Sequence, residues 1–123
     1  MRRASAADRS AAWSVAPRWR AVRRGTIAIG PGKADLLAAI AASGSITGAA
    51  RALGMSYRRA WVLVATMNRC FARPLVATTA RRSAGAALTP EGRRVLGLYR
   101  RIERRSLAAA RRDIAALRRM LPT

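Results

Sequence analysis

The chain has 123 residues, 25 of them lysine or arginine and only five aspartate or glutamate, which gives a formal net charge of +20. This length holds one modest domain with extensions and leaves no room for a second ligand-binding domain of ordinary size. The charge favours a polyanionic partner. The sequence has no histidine and a single cysteine, Cys70, so it excludes an internal disulfide and disfavours a metal site.

The composition predicts neither an enzyme nor a membrane protein. The five acids are dispersed, and no serine or cysteine has an evident base beside it. The sequence therefore shows no set of residues suited to acid–base or nucleophilic catalysis. The longest apolar stretch, residues 36–42, is far shorter than the roughly 18 residues that a membrane span needs. We therefore expect a cytoplasmic protein with no cofactor.

Residues 1–24 are basic and show no sustained helical or strand periodicity, so they are predicted to form a disordered arm. A short β-like run follows at residues 26–29. The Gly-Pro-Gly segment at 30–32 can then open a helix at Lys33. This segment does not fit a phosphate-binding loop, because Ala34 stands where a magnesium-binding serine or threonine is required.

Glycines and a proline divide the next segment into three predicted helices. Gly44 stops the first and Gly54 the second, Ser45 is placed to cap the second, and Pro74 ends the third. The predicted helices are 33–43, 46–53 and 56–71.

Two short β-like runs, 75–78 and 86–88, surround a basic segment and predict a hairpin, or wing. Thr89-Pro90-Glu91 is a strong helix start, and no breaker follows before Pro122. The expected fold is mainly α with a small β-wing, a winged helix-turn-helix with a long C-terminal helix. We assign residues 25–105 to this domain and residues 106–123 to a helical extension.

The long helix carries two apolar seams that are out of phase. Val95, Leu98 and Ile102 are predicted to pack on the winged domain, while the arginine pairs of the helix avoid both seams and predict a solvated basic face. The second seam has heptad spacing and predicts pairing with a second copy of the chain, a homodimer. Its residues are Leu107, Ala110, Ile114, Leu117 and Leu121.

Two helices joined by a tight glycine turn place one helix in the major groove of DNA while the other braces it. The string from Gly44 to Trp61, with Met67-Asn68 and the Leu-Thr-Pro-Glu-Gly segment at 88–92, resembles the N-terminal domain of ModE-type molybdate-dependent regulators. It is more distantly similar to LysR-type regulators. The resemblance covers about residues 26–105 and implies a bacterial DNA-binding domain that acts as a dimer on a palindromic site.

The molybdate-binding part of that family is C-terminal to this domain, so no molybdate is expected on this chain. The family wing is longer and glycine-rich, whereas the predicted wing here is short and carries Arg81 and Arg82 at its tip. These two arginines are expected on a phosphate backbone or in the minor groove.

The N-terminal turn of the third helix is expected to reach base edges, where arginine either binds guanine bidentately or holds phosphates. Hydroxyls at the start of the second helix suit phosphate contacts. Trp61 has two interpretations: the LysR resemblance places it at DNA, while its size favours packing. The predicted DNA-binding residues are Ser45, Thr47, Ser56, Tyr57, Arg58, Arg59, Trp61, Arg81 and Arg82.

Two functions remain open from the sequence. The first is a sequence-specific transcriptional regulator bound to double-stranded DNA. The alternative is a non-specific, nucleoid-associated or architectural protein that coats DNA through charge. They differ in the ratio of specific to non-specific affinity, which is about 10³ or more for a regulator.

Overall fold

The computed structural model describes residues 14–78 and 85–122. The strands in these ranges are β1 Ala21–Arg23, β2 Thr26–Ile29, β3 Val76–Thr78 and β4 Ala86–Leu88. The helices are α1 Pro31–Ser43, α2 Ile46–Leu53, α3 Tyr57–Cys70, α4 Pro90–Ala109 and α5 Arg111–Arg119. This arrangement confirms the predicted fold class. No helix in the described ranges is long and apolar enough to cross a membrane.

The first three helices begin and end within two residues of their predicted bounds. α1 begins two residues earlier than predicted, at Pro31, because a proline at the first helical position needs no N–H partner. Gly44 (φ 74°) ends it, and Gly54 (φ 66°) ends α2, both in the left-handed region. Ser45 caps α2, its Oγ accepting a hydrogen bond from the Gly48 amide at 2.8 Å.

The core lies where α1, α2 and α3 cross and where β3 meets them. α1 contributes more of the large buried side chains than any other element. Burial of each aliphatic side chain stabilises the fold by roughly 1.5–3 kcal/mol. The largest fully buried side chains are Leu36, Leu37, Ile40, Ile46, Val64, Met67 and Leu75.

The wing hairpin is tied to the helices at both of its described ends. β3 and β4 pair antiparallel, with Val76 opposite Leu88 and Thr78 opposite Ala86. Ala86 also donates its amide hydrogen bond to the carbonyl of Gly44 at 2.9 Å. The wing strands therefore lie against the turn between α1 and α2. The predicted tip residues, 81 and 82, lie outside the described residues.

The N-terminal segment corrects one prediction. Within residues 14–24 the chain is not a disordered arm, because β1 pairs antiparallel with β2 and makes a hairpin. Arg24 (φ 50°) and Gly25 (φ 80°) form its two-residue turn, and positive φ at both positions is what a type I′ turn requires. Arginine is not a typical residue there, so the usual Asn-Gly or Asp-Gly signature was missing.

Trp19 fixes the segment before β1 to the long helix α4. Its indole Nε1 donates to Oγ of Ser106 at 3.0 Å, and its carbonyl accepts a hydrogen bond from the Tyr99 hydroxyl at 2.8 Å. These contacts join residues 87 and 80 positions apart in the sequence, which no local pattern could reveal.

α4 packs on the domain with a different face from the predicted one. Thr89 caps it as expected, its Oγ1 accepting from the Gly92 amide at 3.0 Å. The buried residues farther along are Tyr99 and Glu103, whereas Leu98 and Ile102 are 41% and 48% exposed. The prediction that Leu98 and Ile102 pack on the domain is therefore wrong; of that seam, only Val95 packs against the core.

A partly buried ionic network lies on this inward face. Arg100 binds Glu103 at 3.1 Å and Asp35 of α1 at 3.0 Å, so it links the two helices. Burial lowers the pKa of the Arg100 guanidinium, but its hydrogen bonds to Asp35 and Glu103 outweigh that effect and raise it overall. Arg100 therefore does not belong to the solvated basic face predicted for the helix.

The C-terminal helix is bent at Ala110 (φ −93°, ψ 7°), which separates α4 from α5 and corrects the prediction of one continuous helix. At the bend, Ala110 and Ile114 border an apolar groove of about 420 Å³ together with Val15, Pro17 and Trp19. Part of the predicted heptad seam thus faces this chain's own N-terminal segment. Leu117 and Leu121 remain exposed.

Candidate nucleic-acid interface

α3 presents one face to the core and the opposite face to solvent. Ala60 and Val64 are buried, at 0% and 1% exposure. Arg58 and Val62 are each two positions from Ala60 and one turn from each other, so they share the outward face. Val62 is 56% exposed. This outward face is the surface that a recognition helix offers to base edges.

Both helices of the helix-turn-helix are capped by the serines that the sequence singled out. The Oγ of Ser56 accepts from the Arg59 amide at 3.0 Å, as that of Ser45 does from Gly48 in α2. Thr47, in the first turn of α2, is exposed. The two serine hydroxyls thus have a structural role, and the remaining free amides of each N-terminus favour a phosphate.

Tyr57 and Trp61 form an edge-to-face pair, with ring centroids 6.1 Å apart and planes at 75°. Tyr57 is 45% exposed, while Trp61 is half-buried and packs against the core. The ring pair adds roughly 0.5–1.5 kcal/mol to the area that it buries and gives the start of α3 a rigid flank. Trp61 supports the position of Tyr57, and Tyr57 is the more accessible of the two.

Asn68 holds the base of the wing to α3. Its Oδ1 accepts from the amides of Leu75 at 2.8 Å and Val76 at 3.2 Å, and its Nδ2 donates to the carbonyl of Val76 at 3.1 Å. One side chain therefore satisfies three backbone groups beside β3. The sequence offered Asn68 only as part of a family resemblance, and the structure supplies the physical reason for it.

Three basic residues that the sequence did not single out lie near α3. Arg18, Arg20 and Lys33 line a cleft together with Arg59. Burial lowers the pKa of the Lys33 ammonium, nearby Cys70 opposes that shift, and the charge of Arg59 adds to it. Arg18 and Arg20 were missed because the segment was taken as a disordered arm. Lys33 was considered only as the start of a helix and as part of a phosphate-binding loop motif, which was rejected.

The acids do not form a metal site in the described part of the chain, where no group of three histidine, cysteine, aspartate or glutamate residues comes together. Asp35 and Glu103 both bind Arg100.

Comparison with known proteins agrees with this geometry. Residues 33–93 match the family described as bacterial regulatory helix-turn-helix protein, lysR family. The chain is 43% identical over 77 residues to the molybdenum-pterin-binding protein MopB of Rhodobacter capsulatus, covering 61% of this chain and 28% of that protein. It is 43% identical over 70 residues to the molybdenum transport protein ModE of Azotobacter vinelandii, covering 55% and 26%. It is 41% identical over 71 residues to the DNA-binding transcriptional dual regulator ModE of Escherichia coli K12, covering 56% and 27%.

The fold and the matched segment together define a winged helix-turn-helix domain of the bacterial regulatory kind. Residues 33–93 match the LysR-type helix-turn-helix model, and the sequence is similar to ModE-type regulators, as the string from Gly44 to Trp61 indicated. The chain spans under a third of the length of these relatives.

Proposed function

We propose that the chain is a sequence-specific DNA-binding regulator of transcription that acts in the bacterial cytoplasm and is not an enzyme. α3 lies in the major groove, and the wing follows the phosphate backbone. The observation that carries the proposal is the outward face of α3, on which Arg58 and the aliphatic Val62 are exposed one turn apart. An aliphatic side chain beside an arginine suits contact with base edges, whereas binding through charge requires only the cations.

Each residue of the interface has a role that fits its position. Arg58 binds a guanine edge bidentately, and Val62 contacts a thymine methyl group one turn along the helix. Tyr57 lies at the edge of this face. The N-terminal amides of α2, with Ser45 and Thr47, hold a phosphate on one strand. Arg81 and Arg82 hold phosphates through the wing or enter the minor groove.

We also propose that the active form is a homodimer on a two-part site. Large apolar side chains remain exposed along the C-terminal helices, namely Leu98 and Ile102 on α4 and Leu117 and Leu121 on α5. Contact between two copies along these helices would remove this surface from water. Equilibrium sedimentation should show dimers, and Leu117→Glu with Leu121→Glu should shift them to monomers; a wild-type monomer at all concentrations, with or without DNA, would rule the dimer out.

The experiment that tests specificity uses Arg58→Ala, with Arg101→Ala on the exposed side of α4 as a control of equal charge. If Arg58 reads a guanine, its loss should relax the preference at one base position by about 1–3 kcal/mol, roughly 5- to 150-fold. Arg101→Ala should leave every preference unchanged. If both variants lose affinity equally for all sequences, the chain coats DNA through charge and is the architectural protein of the alternative hypothesis.

A further inference from the structure

A cleft lined by four cations lies beside the recognition helix. Arg18 and Arg20 approach from the N-terminal segment, Lys33 from the first turn of α1, and Arg59 from the first turn of α3. The cleft has a volume of about 230 Å³, below the roughly 300–1,000 Å³ of small-molecule pockets. None of the described residues that line it carries a carboxylate, so the positive charges have no counterion from their neighbours there.

The two arginines of the N-terminal segment are held in place. Trp19, which stands between them, is fixed by the hydrogen bonds of its Nε1 to Ser106 and of its carbonyl to Tyr99. Arg20 also lies close over the start of α1, since a Cβ added to Gly30 would be 3.3 Å from the Cγ of Arg20. Arg18 and Arg20 therefore take up defined positions on the domain.

The charge of Lys33 is not compensated within its own helical turn. Lys33 is partly buried in the first turn of α1, where the helix dipole disfavours a cation, and that turn carries no acid and no side-chain cap. The Lys33 pKa is lowered by burial and by Arg59. An anion in the cleft would relieve this repulsion.

The position of the cleft indicates which anion it binds. Arg59 and Asn68 are nine positions apart on α3, about two and a half turns, and so lie on opposite flanks of the helix. Asn68 holds the wing on one flank, and the cleft lies on the other. A helix in the major groove is bordered by a phosphate strand on each side.

We propose that Arg18, Arg20, Lys33 and Arg59 form a second backbone clamp, which binds a phosphodiester group of DNA on the side of α3 opposite the wing. The proposal rests on the proposed function only in that α3 enters the major groove. It assigns a DNA contact to the N-terminal segment and gives two adjacent arginines different roles: Arg58 contacts a base, and Arg59 belongs to the clamp. The clamp positions the helix and carries no sequence information.

The test compares Arg18→Ala/Arg20→Ala with Arg101→Ala/Arg104→Ala, which removes the same charge from exposed positions of α4. Binding of a short mixed-sequence duplex is measured against salt concentration. If the clamp neutralises one phosphate, the slope of the log–log plot should fall by about one for each bound protomer in the clamp variant, so the affinity lost between 50 and 200 mM salt shrinks by about three- to fourfold per protomer. The control should keep the wild-type slope. A clamp variant with the control's slope overturns the proposal.

A second measurement locates the phosphate. In wild type, replacing single phosphates outside the recognised bases by neutral methylphosphonates should weaken binding at one position of each half-site. The clamp variant should be insensitive at that position and keep the same base preferences. Arg18→Lys/Arg20→Lys should restore the slope, and circular dichroism should show the fold retained. A shift in base preference would contradict a backbone clamp.

Two further outcomes distinguish the backbone clamp from a site for a free anion and from the proposed regulator function. If inorganic phosphate at millimolar concentration protects Lys33 from acylation while duplex DNA does not, the cleft binds a free anion and the clamp is wrong. If wild type shows no sequence preference but the clamp variant still loses slope, the proposed regulator function fails and the clamp stands.

Discussion

Replacement of Asn68 by alanine should destabilise the domain more than any other exposed or half-buried polar change in α3. The side chain makes three hydrogen bonds to Leu75 and Val76, and alanine leaves two amides and one carbonyl beside β3 without them. At about 0.5–1.5 kcal/mol net for each bond, the free energy of unfolding should fall by about 3 kcal/mol. For a domain of this size the melting temperature should fall by about 10–20 °C.

Thr66→Ala is the matched control on the same helix. Thr66 donates from its hydroxyl to the carbonyl of Val62 at 2.8 Å, a local bond whose loss leaves that carbonyl in its helical hydrogen bond. Thr66→Ala should lower the free energy of unfolding by less than about 0.5 kcal/mol. Urea denaturation of the three proteins measures both differences. Equal stabilities for Asn68→Ala and Thr66→Ala would refute the role of Asn68 in holding the wing.

Three further predictions concern backbone geometry and the wing. Gly92→Ala should lower the free energy of unfolding by about 1–3 kcal/mol or more, because the added Cβ overlaps the Leu75 carbonyl. Gly97→Ala, whose added Cβ has nothing within 4 Å, should raise it by up to about 1 kcal/mol. A change of the same sign for both variants in thermal melts would be inconsistent with this packing. Arg24→Asn should stabilise the N-terminal hairpin by about 0.5–1 kcal/mol, because asparagine tolerates the positive φ at this turn better than arginine, and urea denaturation should show no loss. Arg81→Ala/Arg82→Ala should flatten the log–log salt dependence of DNA binding by about two, and an unchanged slope would remove the wing tip from the interface.

The elements whose ends are set by local chemistry could be predicted from the sequence. Ser45 and Thr89 cap helices, and Gly44 and Gly54 end them, because each acts on backbone groups within a few residues of itself. The wing strands also followed from their own composition and from the basic segment between them.

Contacts between distant segments could not be predicted in this way. Nothing near Trp19 in the sequence indicates Ser106 or Tyr99, so the docking of the N-terminal segment was missed. The inward face of α4 was misassigned for a related reason. An apolar pattern favoured Leu98 and Ile102, whereas the face that packs inward carries Tyr99 and a partly buried polar network of Arg100, Glu103 and Asp35.

The candidate site was predicted in outline only. The spacing placed Arg58 and Arg59 together at the start of the recognition helix and left both roles open. A difference of one position turns a side chain about 100° around a helix, so Arg58 shares a face with Val62 while Arg59 borders the cationic cleft. That distinction depends on which side of α3 is buried, which only the packed structure defines.

The central claim, sequence-specific recognition by α3, is tested most directly by selecting bound sequences from a random DNA pool at fixed, physiological salt. We expect an enriched motif made of two inverted half-sites with centres about 10 base pairs apart, or a multiple of that spacing, and the motif should change at one position in each half when Arg58 is replaced. Recovery of no motif from a pool that the protein nevertheless binds would contradict the claim and leave a protein that coats DNA through its charge.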